Sequence, residues 1–476
     1  MLNRQQQDQR PNIVFIMSDD HASHAMSCYG SRVNATPNLD RIANEGIRFD
    51  NCFCTNSICS PSRAAILSGT YNHINGVKSL RDRFDGRQVT FPKLLQADGY
   101  QTAMVGKWHL GHGGEADPTG FDFWSVVPGQ GEYHDPEFIE MGEKKRFSGY
   151  ATDLITDFSI DWLDKRDPER PFLLMCHHKA PHRPFQPDAK HMHMYEDVDI
   201  PEPETFYDDY EGRSEAVREA KMRIDRDMDD LVDLKAYPPE GLTPLEQKKW
   251  RYQRYMKDYL RCVASIDDNV GRLLDYLEDQ GVADNTIVVY TSDQGFFLGD
   301  HGWYDKRFMY EESLRMPFIV RFPRAIRPGS VTDKMALNVD FPVTFLDYAG
   351  VEIPEAMQGV SLRTIWEGGE PAEGWRTSMY YRYWMHLDDW HNVYSHYGVR
   401  TERYKLIYYY AEALGTLGSK EEKRTPEWEL FDLQEDRYEM HNRYGDPAYA
   451  AVTAELKQEL RRLQLAVLDE PVEEVG

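Results

Sequence analysis

Four short polar stretches in this chain each follow an apolar run that reads as a β-strand. NIVFIM (12–17) runs into Ser18-Asp19-Asp20, QTAMVG (101–106) into Lys107-Trp108-His109, PFLLMCH (171–177) into His178-Lys179-Ala180-Pro181-His182, and NTIVVYT (285–291) into Ser292-Asp293-Gln294. Asp19, Asp20, Asp293 and Gln294 offer oxygen only, which suits a hard cation such as Ca²⁺ or Mg²⁺ better than zinc. An aspartate pair after a strand also reads as a turn or a helix cap. Two such sites at two strand ends favour a metal, because carboxylates buried side by side need a cation to neutralise them. Lys107, His109, His182 and Lys306 are cationic or proton-carrying groups from separate loops. Taken singly each reads as a surface residue or a satisfied histidine, and together they make a pocket for a tetrahedral oxyanion.

A fifth stretch, ICSPSRAAILSG (58–69), places a cysteine at a helix start. Ser60 suits the N-cap and Pro61 the first helical position, so the pattern predicts a helix over 61–67 whose dipole favours negative charge at Cys59. Arg63 then lies one turn on. A thiolate nucleophile is one reading, although no Cys-His motif accompanies it and a thiolate matches a hard cation poorly. A buried inert cysteine is the other.

These loops need a scaffold that brings them to one place. Short apolar runs, including PFIVRF (317–322), alternate with amphipathic stretches over the first two-thirds of the chain. That pattern predicts an α/β fold, a large mostly parallel sheet flanked by helices, with ligands bound at the carboxyl edge of the strands. Helices are expected at 37–46 and at 252–280, where Tyr255, Tyr259, Val263, Ile266, Val270, Leu273 and Leu277 form an apolar stripe. Residues 188–250, charged and carrying PEPE and YPPEG, read as a solvated insertion or a lid. After about residue 375 the texture becomes aromatic and β-prone, ending in a helix expected at 447–468. This divides the chain into a catalytic domain, 1–375, and a small α+β domain, 376–476.

The 476 residues include 80 acidic and 55 basic side chains, a net charge of −25, which argues against a nucleic-acid surface. The six cysteines show no zinc-knuckle or disulfide spacing and read as thiols. No run reaches the length of a membrane span, and the polar MLNRQQQDQRPN lacks a secretory h-region. The expectation is a cytoplasmic protein as written, periplasmic or secreted if a leader was removed.

CSPSRAAILSG resembles the signature of the formylglycine-dependent type I sulfatases, in the alkaline phosphatase superfamily, with Ser68 in place of a usual threonine. PNIVFIMSDDH, TPNLDRIANEGIRFDNCF, GKWHLG, KAPHRPF and TSDQGFFLGDHGWYDKR are similar to that family's other blocks, in the same order, and HYGVRTERYKLI…WELFDL resembles its small domain. The resemblance implies that Cys59 is oxidised to Cα-formylglycine by a formylglycine-generating enzyme. It implies that Asp19, Asp20, Asp293 and Gln294, together with the modified Cys59, hold Ca²⁺, with Mg²⁺ as the alternative. Gln294 stands where the family often has Asn or His. The catalytic set would be Cys59, Arg63, Lys107, His109, His182 and Lys306, with His182 as acid for the leaving alcohol and His109 as base. The look is that of bacterial enzymes acting on small sulfated sugars, including the N-acetylglucosamine-6-sulfatase branch. His301, Asp305 and Arg307 around Lys306, and His396 and Arg400 from the small domain, are the expected sugar contacts, with a salt-bridged loop the competing reading for Asp305 and Arg307. A phosphonate monoester or phosphodiester hydrolase, and a glycan-binding protein with unmodified Cys59, are the alternatives. No nucleic acid or membrane partner is expected, and a homo-oligomer is left open.

Overall fold

The computed structural model describes residues 10–31, 33–371 and 373–472. The polar stretch read above for want of a leader lies largely in 1–9, outside the described residues, and no described helix is long and apolar enough to cross a membrane. Among the described residues the largest sheet has ten strands. In chain order they are β1 (Asn12–Asp19), β2 (Ile47–Phe49), β3 (Gln101–Lys107), β4 (Phe123–Val127), β5 (Glu137–Glu140), β6 (Glu143–Arg146), β7 (Phe172–Pro181), β8 (Thr286–Ser292), β9 (Phe318–Arg321) and β10 (Ser330–Thr332). Their spatial order is β10-β2-β9-β8-β1-β7-β3-β4-β5-β6. The central β8-β1-β7-β3-β4 run is parallel, while β9 pairs antiparallel with β8 and β2.

Strands β1, β3, β7 and β8 are buried along their whole length. A parallel sheet covered on both faces requires near-continuous apolar runs of this kind. Alternate residues feed two cores. Ile13, Phe15, Met17, Leu173 and Val289 pack with residues of helices α2 (Cys59–Ser68) and α5 (Asp340–Ala349). Val14, Ile16, Leu174 and Tyr290 pack with α1 (Pro37–Asn44), α3 (Ala151–Lys165) and α4 (Pro244–Asp279).

Two expectations shift. Helix α4 starts eight residues before 252, because its first turns carry no buried side chain and so show no apolar stripe. The signal there is the capping box of Thr243 and Glu246. The 188–250 segment is not a solvated excursion: Ile200, Phe206, Ile224, Met228 and Leu234 are buried against Tyr252, Tyr255 and Tyr259 of α4.

The C-terminal region forms a four-stranded antiparallel sheet of β11 (Ser378–Tyr383), β12 (His396–Thr401), β13 (Tyr404–Tyr409) and β14 (Glu427–Asp432), packed by helix α6 (Ala450–Ala466). It shares one apolar core with the first part of the chain, in which Tyr381, Tyr383 and Leu406 join Ile58, Ala65 and Phe308.

One glycine sets the spacing of two strands that end at the polar loops. Gly106 in β3 has φ +103°, and a Cβ there would sit 2.0 Å from the His177 carbonyl oxygen of β7. Gly142, at the β5–β6 turn, also has positive φ but open space around it. Gly106→Ala is expected to destabilise the protein by more than ~2 kcal/mol and Gly142→Ala by ~1 kcal/mol, read from denaturant melts; equal effects would show that the close approach is unimportant.

Candidate active site

The polar loops converge because β3, β7, β1 and β8 are adjacent and parallel, so their carboxyl ends lie on one edge of the sheet. Asp19 and Asp20 leave β1 beside Asp293 and Gln294, which leave β8. The Asp293 N–H donates to the Ser18 carbonyl at 3.2 Å and the Asp20 N–H to Asp293 Oδ1 at 3.2 Å. Asp20 takes this position with φ +66°, a left-handed conformation that is uncommon outside glycine and concentrates at functional sites.

Asp19, Asp20 and Asp293 are fully buried, and ligand atoms of all three lie within 4.8 Å of one another. Asp20 Oδ2 and Gln294 Oε1 are buried without a hydrogen-bond partner. Burial pushes the Asp20 carboxyl up to about 6 against the pull of Lys306. A cluster of oxygen donors with unpartnered lone pairs fits a hard divalent cation. The Gln294 amide now donates through Nε2 to Asp20 and contacts Cys59 Sγ at 4.0 Å. Turning the amide over would present Oε1 to the same centre.

Helix α2 carries the cysteine into this cluster. It starts at Cys59 rather than at Pro61: the N-cap is Ile58, in an extended conformation, and Ser60 makes no cap. The Ser60 hydroxyl instead donates to the His109 carbonyl at 2.7 Å, tying the helix to the loop after β3. Pro61 is tolerated because a first-turn residue needs no intrahelical N–H bond. Cys59 Sγ lies 3.4 Å from Asp19 Oδ1, and burial pushes the thiol up to about 12. Desolvation thus opposes a thiolate here, against the helix dipole. Arg63 donates from Nε to Asp293 Oδ2 at 2.9 Å and from Nη1 to the Lys107 carbonyl at 2.6 Å, leaving Nη2 buried without a partner.

Lys107 contacts Asp19 and Gln130, and Lys306 pairs with Asp20 Oδ1 at 2.5 Å. His182 is buried with Nε2 3.6 Å from Asp20 Oδ2. Its Nδ1–H donates to the Arg183 carbonyl at 2.8 Å, which fixes Nε2 as the nitrogen aimed at the cluster. Burial, then Lys107, Lys306 and Lys179, hold its pKa well below the ordinary histidine value. His109 is held down by burial, Lys107 and Arg63, with Nδ1 buried and unpartnered.

Asp305 and Arg307 bond each other at 3.0 Å next to Lys306. Burial pushes the Asp305 carboxyl up, but His391, Lys306 and Arg307 outweigh it and hold the group well below the usual carboxylate range. The structure does not bring the other expected sugar contacts here. His301 is fully buried among Trp303 and Tyr310 and bonds Asp208 at 2.8 Å. His396 is stacked between Phe308 and Tyr381, with Nδ1 on the Tyr394 carbonyl. Arg400 pairs with Glu311 and lines a separate cavity of about 1160 Å³ with Asp300, Glu312 and Arg315. Both β12 residues are instead engaged by local partners, His396 within the shared core and Arg400 with Glu311.

His391 comes from the small sheet's side instead. Its Nε2 is 3.4 Å from both Asp305 Oδ2 and Arg307 Nη2, and its Nδ1 is 2.9 Å from Asp388 Oδ1. The legible signal was the Asp-x-x-His spacing of Asp388 and His391. Lys179 was also missed, although it stands in KAPH three residues before His182. Gln130, in a loop after β4, carried no signal.

The Sulfatase family model matches residues 11–351, and that described as N-sulphoglucosamine sulphohydrolase, C-terminal, matches 299–466. The chain is 45% identical to N-acetylglucosamine-6-O-sulfatase of Bacteroides thetaiotaomicron over 99% of its own length and 89% of that protein's. It superposes with a TM-score of 0.91, at 44% identity and covering 98% of this chain and 100% of the other, on the structure of BT4656 in complex with its substrate D-glucosamine-2-N,6-O-disulfate. Phosphonate monoester hydrolase SpPMH from Silicibacter pomeroyi, 21% identical with a TM-score of 0.75 over 97% of this chain and 96% of that one, shares the fold. With family matches reaching from the first strand into α6, and a cysteine-led helix end set among buried carboxylates and lysines, this chain belongs to the sulfatase family.

Proposed function

We propose that the protein hydrolyses the 6-O-sulfate ester of an N-acetylglucosamine-type sugar. The observation that carries this reading is the meeting, at one buried point, of Cys59, an oxygen-only donor set and three cationic side chains. The sugar is taken from the 45% identical relative named for that activity.

Asp19, Asp20, Asp293 and Gln294 would hold Ca²⁺, and Cys59 would serve as formylglycine. When present, the cation supplies a Lewis acid for the sulfate oxygens and the hydrated aldehyde supplies an oxygen nucleophile. Arg63, fixed by Asp293 and the Lys107 carbonyl, orients the group at position 59 with its unpartnered Nη2. Lys107 and Lys306 bind sulfate oxygens and balance the charge that develops on them. With Nδ1–H committed to the Arg183 carbonyl, His182 takes up a solvent proton at Nε2 when the sulfate brings its negative charge into the site, and passes that proton to the departing sugar oxygen. His109, held neutral with Nδ1 free, accepts a proton at that atom when the site is reset.

The pair Asp305 and Arg307, with His391 against both, offers fixed acceptors and donors suited to sugar hydroxyls. In this reading the division near residue 375 is functional, the small domain contributing His391 to a pocket built by the large one.

Five outcomes follow. Protein co-expressed with a formylglycine-generating enzyme releases sulfate from N-acetylglucosamine-6-sulfate, and Cys59→Ala abolishes the release; equal activity in that variant sinks the reading. Intact-peptide mass spectrometry finds the Cys59 peptide lighter than the thiol form, whereas a persistent thiol favours a glycan-binding role. On matched aryl esters, sulfate is cleaved faster than phosphonate. Chelation lowers both turnover and the melting temperature, and added Ca²⁺ restores them. Asp305→Ala and His391→Ala each raise KM for the sugar about tenfold or more, while 4-nitrophenyl sulfate, which lacks the sugar hydroxyls, is affected less.

A further inference from the structure

Lys179 is buried at the edge of the cluster, 1% exposed, in β7 two residues before the strand ends and three before His182. Lys107, Lys306 and Arg63 each pair with an aspartate of the cluster. Lys179 does not: its partners among the described residues are the face of Tyr133, with Nζ 4.5 Å from the ring centroid, and the Arg183 carbonyl at 3.4 Å. That carbonyl is the one that accepts the His182 Nδ1–H. Tyr133 closes the arrangement from the other side, its hydroxyl donating to the His182 carbonyl at 2.6 Å, while the His182 N–H donates to the Lys179 carbonyl. Lysine, tyrosine and turn thus bracket one imidazole. A buried ammonium without a carboxylate is costly, and burial lowers its pKa to about 8. The fold retains it where its strongest polar contact is the acceptor that sets the ring's orientation.

We infer that Lys179 is a positioning residue for His182: through the shared Arg183 carbonyl and the Tyr133 ring, it holds the imidazole with Nδ1 protonated and Nε2 facing the leaving oxygen. The inference rests on the proposed role of His182 as proton donor. Nζ and the ring Nδ1–H both donate to this one carbonyl, so the contact that holds the carbonyl also holds the ring. A ring held in this way matters in proportion to how much the leaving group needs a proton. A sugar alkoxide needs one badly and 4-nitrophenolate scarcely does.

The test uses the matured full-length enzyme and the variants Lys179→Met and Lys179→Arg. Lys179→Met is expected to lower kcat about tenfold more on N-acetylglucosamine-6-sulfate than on 4-nitrophenyl sulfate, with KM moving less than kcat. Lys179→Arg, which keeps the donor and the aromatic contact, recovers kcat on the sugar to within about threefold. The double variant Lys179→Met/His182→Ala loses no more than His182→Ala alone. Equal losses on both esters, or a rise in KM alone, would overturn the inference and make Lys179 a sulfate-binding cation or a packing residue.

A second readout is independent of turnover. In protein labelled with 15N-histidine, with the His182 signals identified by their loss in His182→Ala, the wild-type ring shows the Nδ1–H tautomer and Lys179→Met shows the two nitrogens converging. Unchanged signals in Lys179→Met would also overturn the inference. If the wild-type enzyme cleaves no sulfate ester, the proposed function fails while the nitrogen spectra still decide the positioning.

Discussion

Three carboxylates held together out of water are the constraint that organises this molecule. Asp19, Asp20 and Asp293 repel one another in a medium that screens poorly, and each would shed its charge if left alone. The fold answers with Lys107, Lys306 and Arg63, one cation against each, delivered from β3, from the loop after β8 and from helix α2. Truncating one partner of such a buried set leaves an uncompensated charge, so the cluster is demanding of its neighbours. Adjacent parallel strands meet that demand by ending several loops at one edge with no backbone crossing.

The same constraint explains why the cysteine is where it is. A nucleophile used as a thiolate would need exposure and positive potential, and Cys59 has burial and an aspartate instead. The surroundings suit oxygen chemistry at that position, in keeping with the relatives whose names describe sulfate-ester hydrolysis.

Much of this was legible because strong local signals coincided. Fully buried strands are nearly pure apolar runs, so NIVFIM and TIVVYT announced β1 and β8, and the polar residues that broke those runs were the ones the site uses. Where burial is one-sided or absent the signal faded: the start of α4, and the packed segment around Phe206 and Ile224, looked solvated because charged residues outnumber the few apolar anchors. Residues drawn from the small sheet were least legible. His396 and Arg400 stood in a motif-like stretch yet turned to local partners, whereas His391 reached Asp305 from a loop whose path depends on tertiary packing. The texture change near residue 375 marked a real change of architecture, but not a separate core, since Tyr381 donates its hydroxyl hydrogen to the Arg307 carbonyl and packs with Ile58.

All ten residues of α2 are inaccessible in the folded chain, and Cys59 with them. A maturation enzyme that must grip the CSPSR segment and reach its sulfur cannot do so once β11 and the small sheet have closed over the chain before it, where Thr55 and Ser57 bond Arg382 and Tyr381. Under the proposed function, the oxidation of Cys59 is therefore a race against folding. The order of synthesis helps, because the cysteine emerges some three hundred residues ahead of the strand that seals it. Slowing collapse of the C-terminal sheet would widen that interval, and hastening it would yield a well-folded protein with its Cys59 thiol sealed inside.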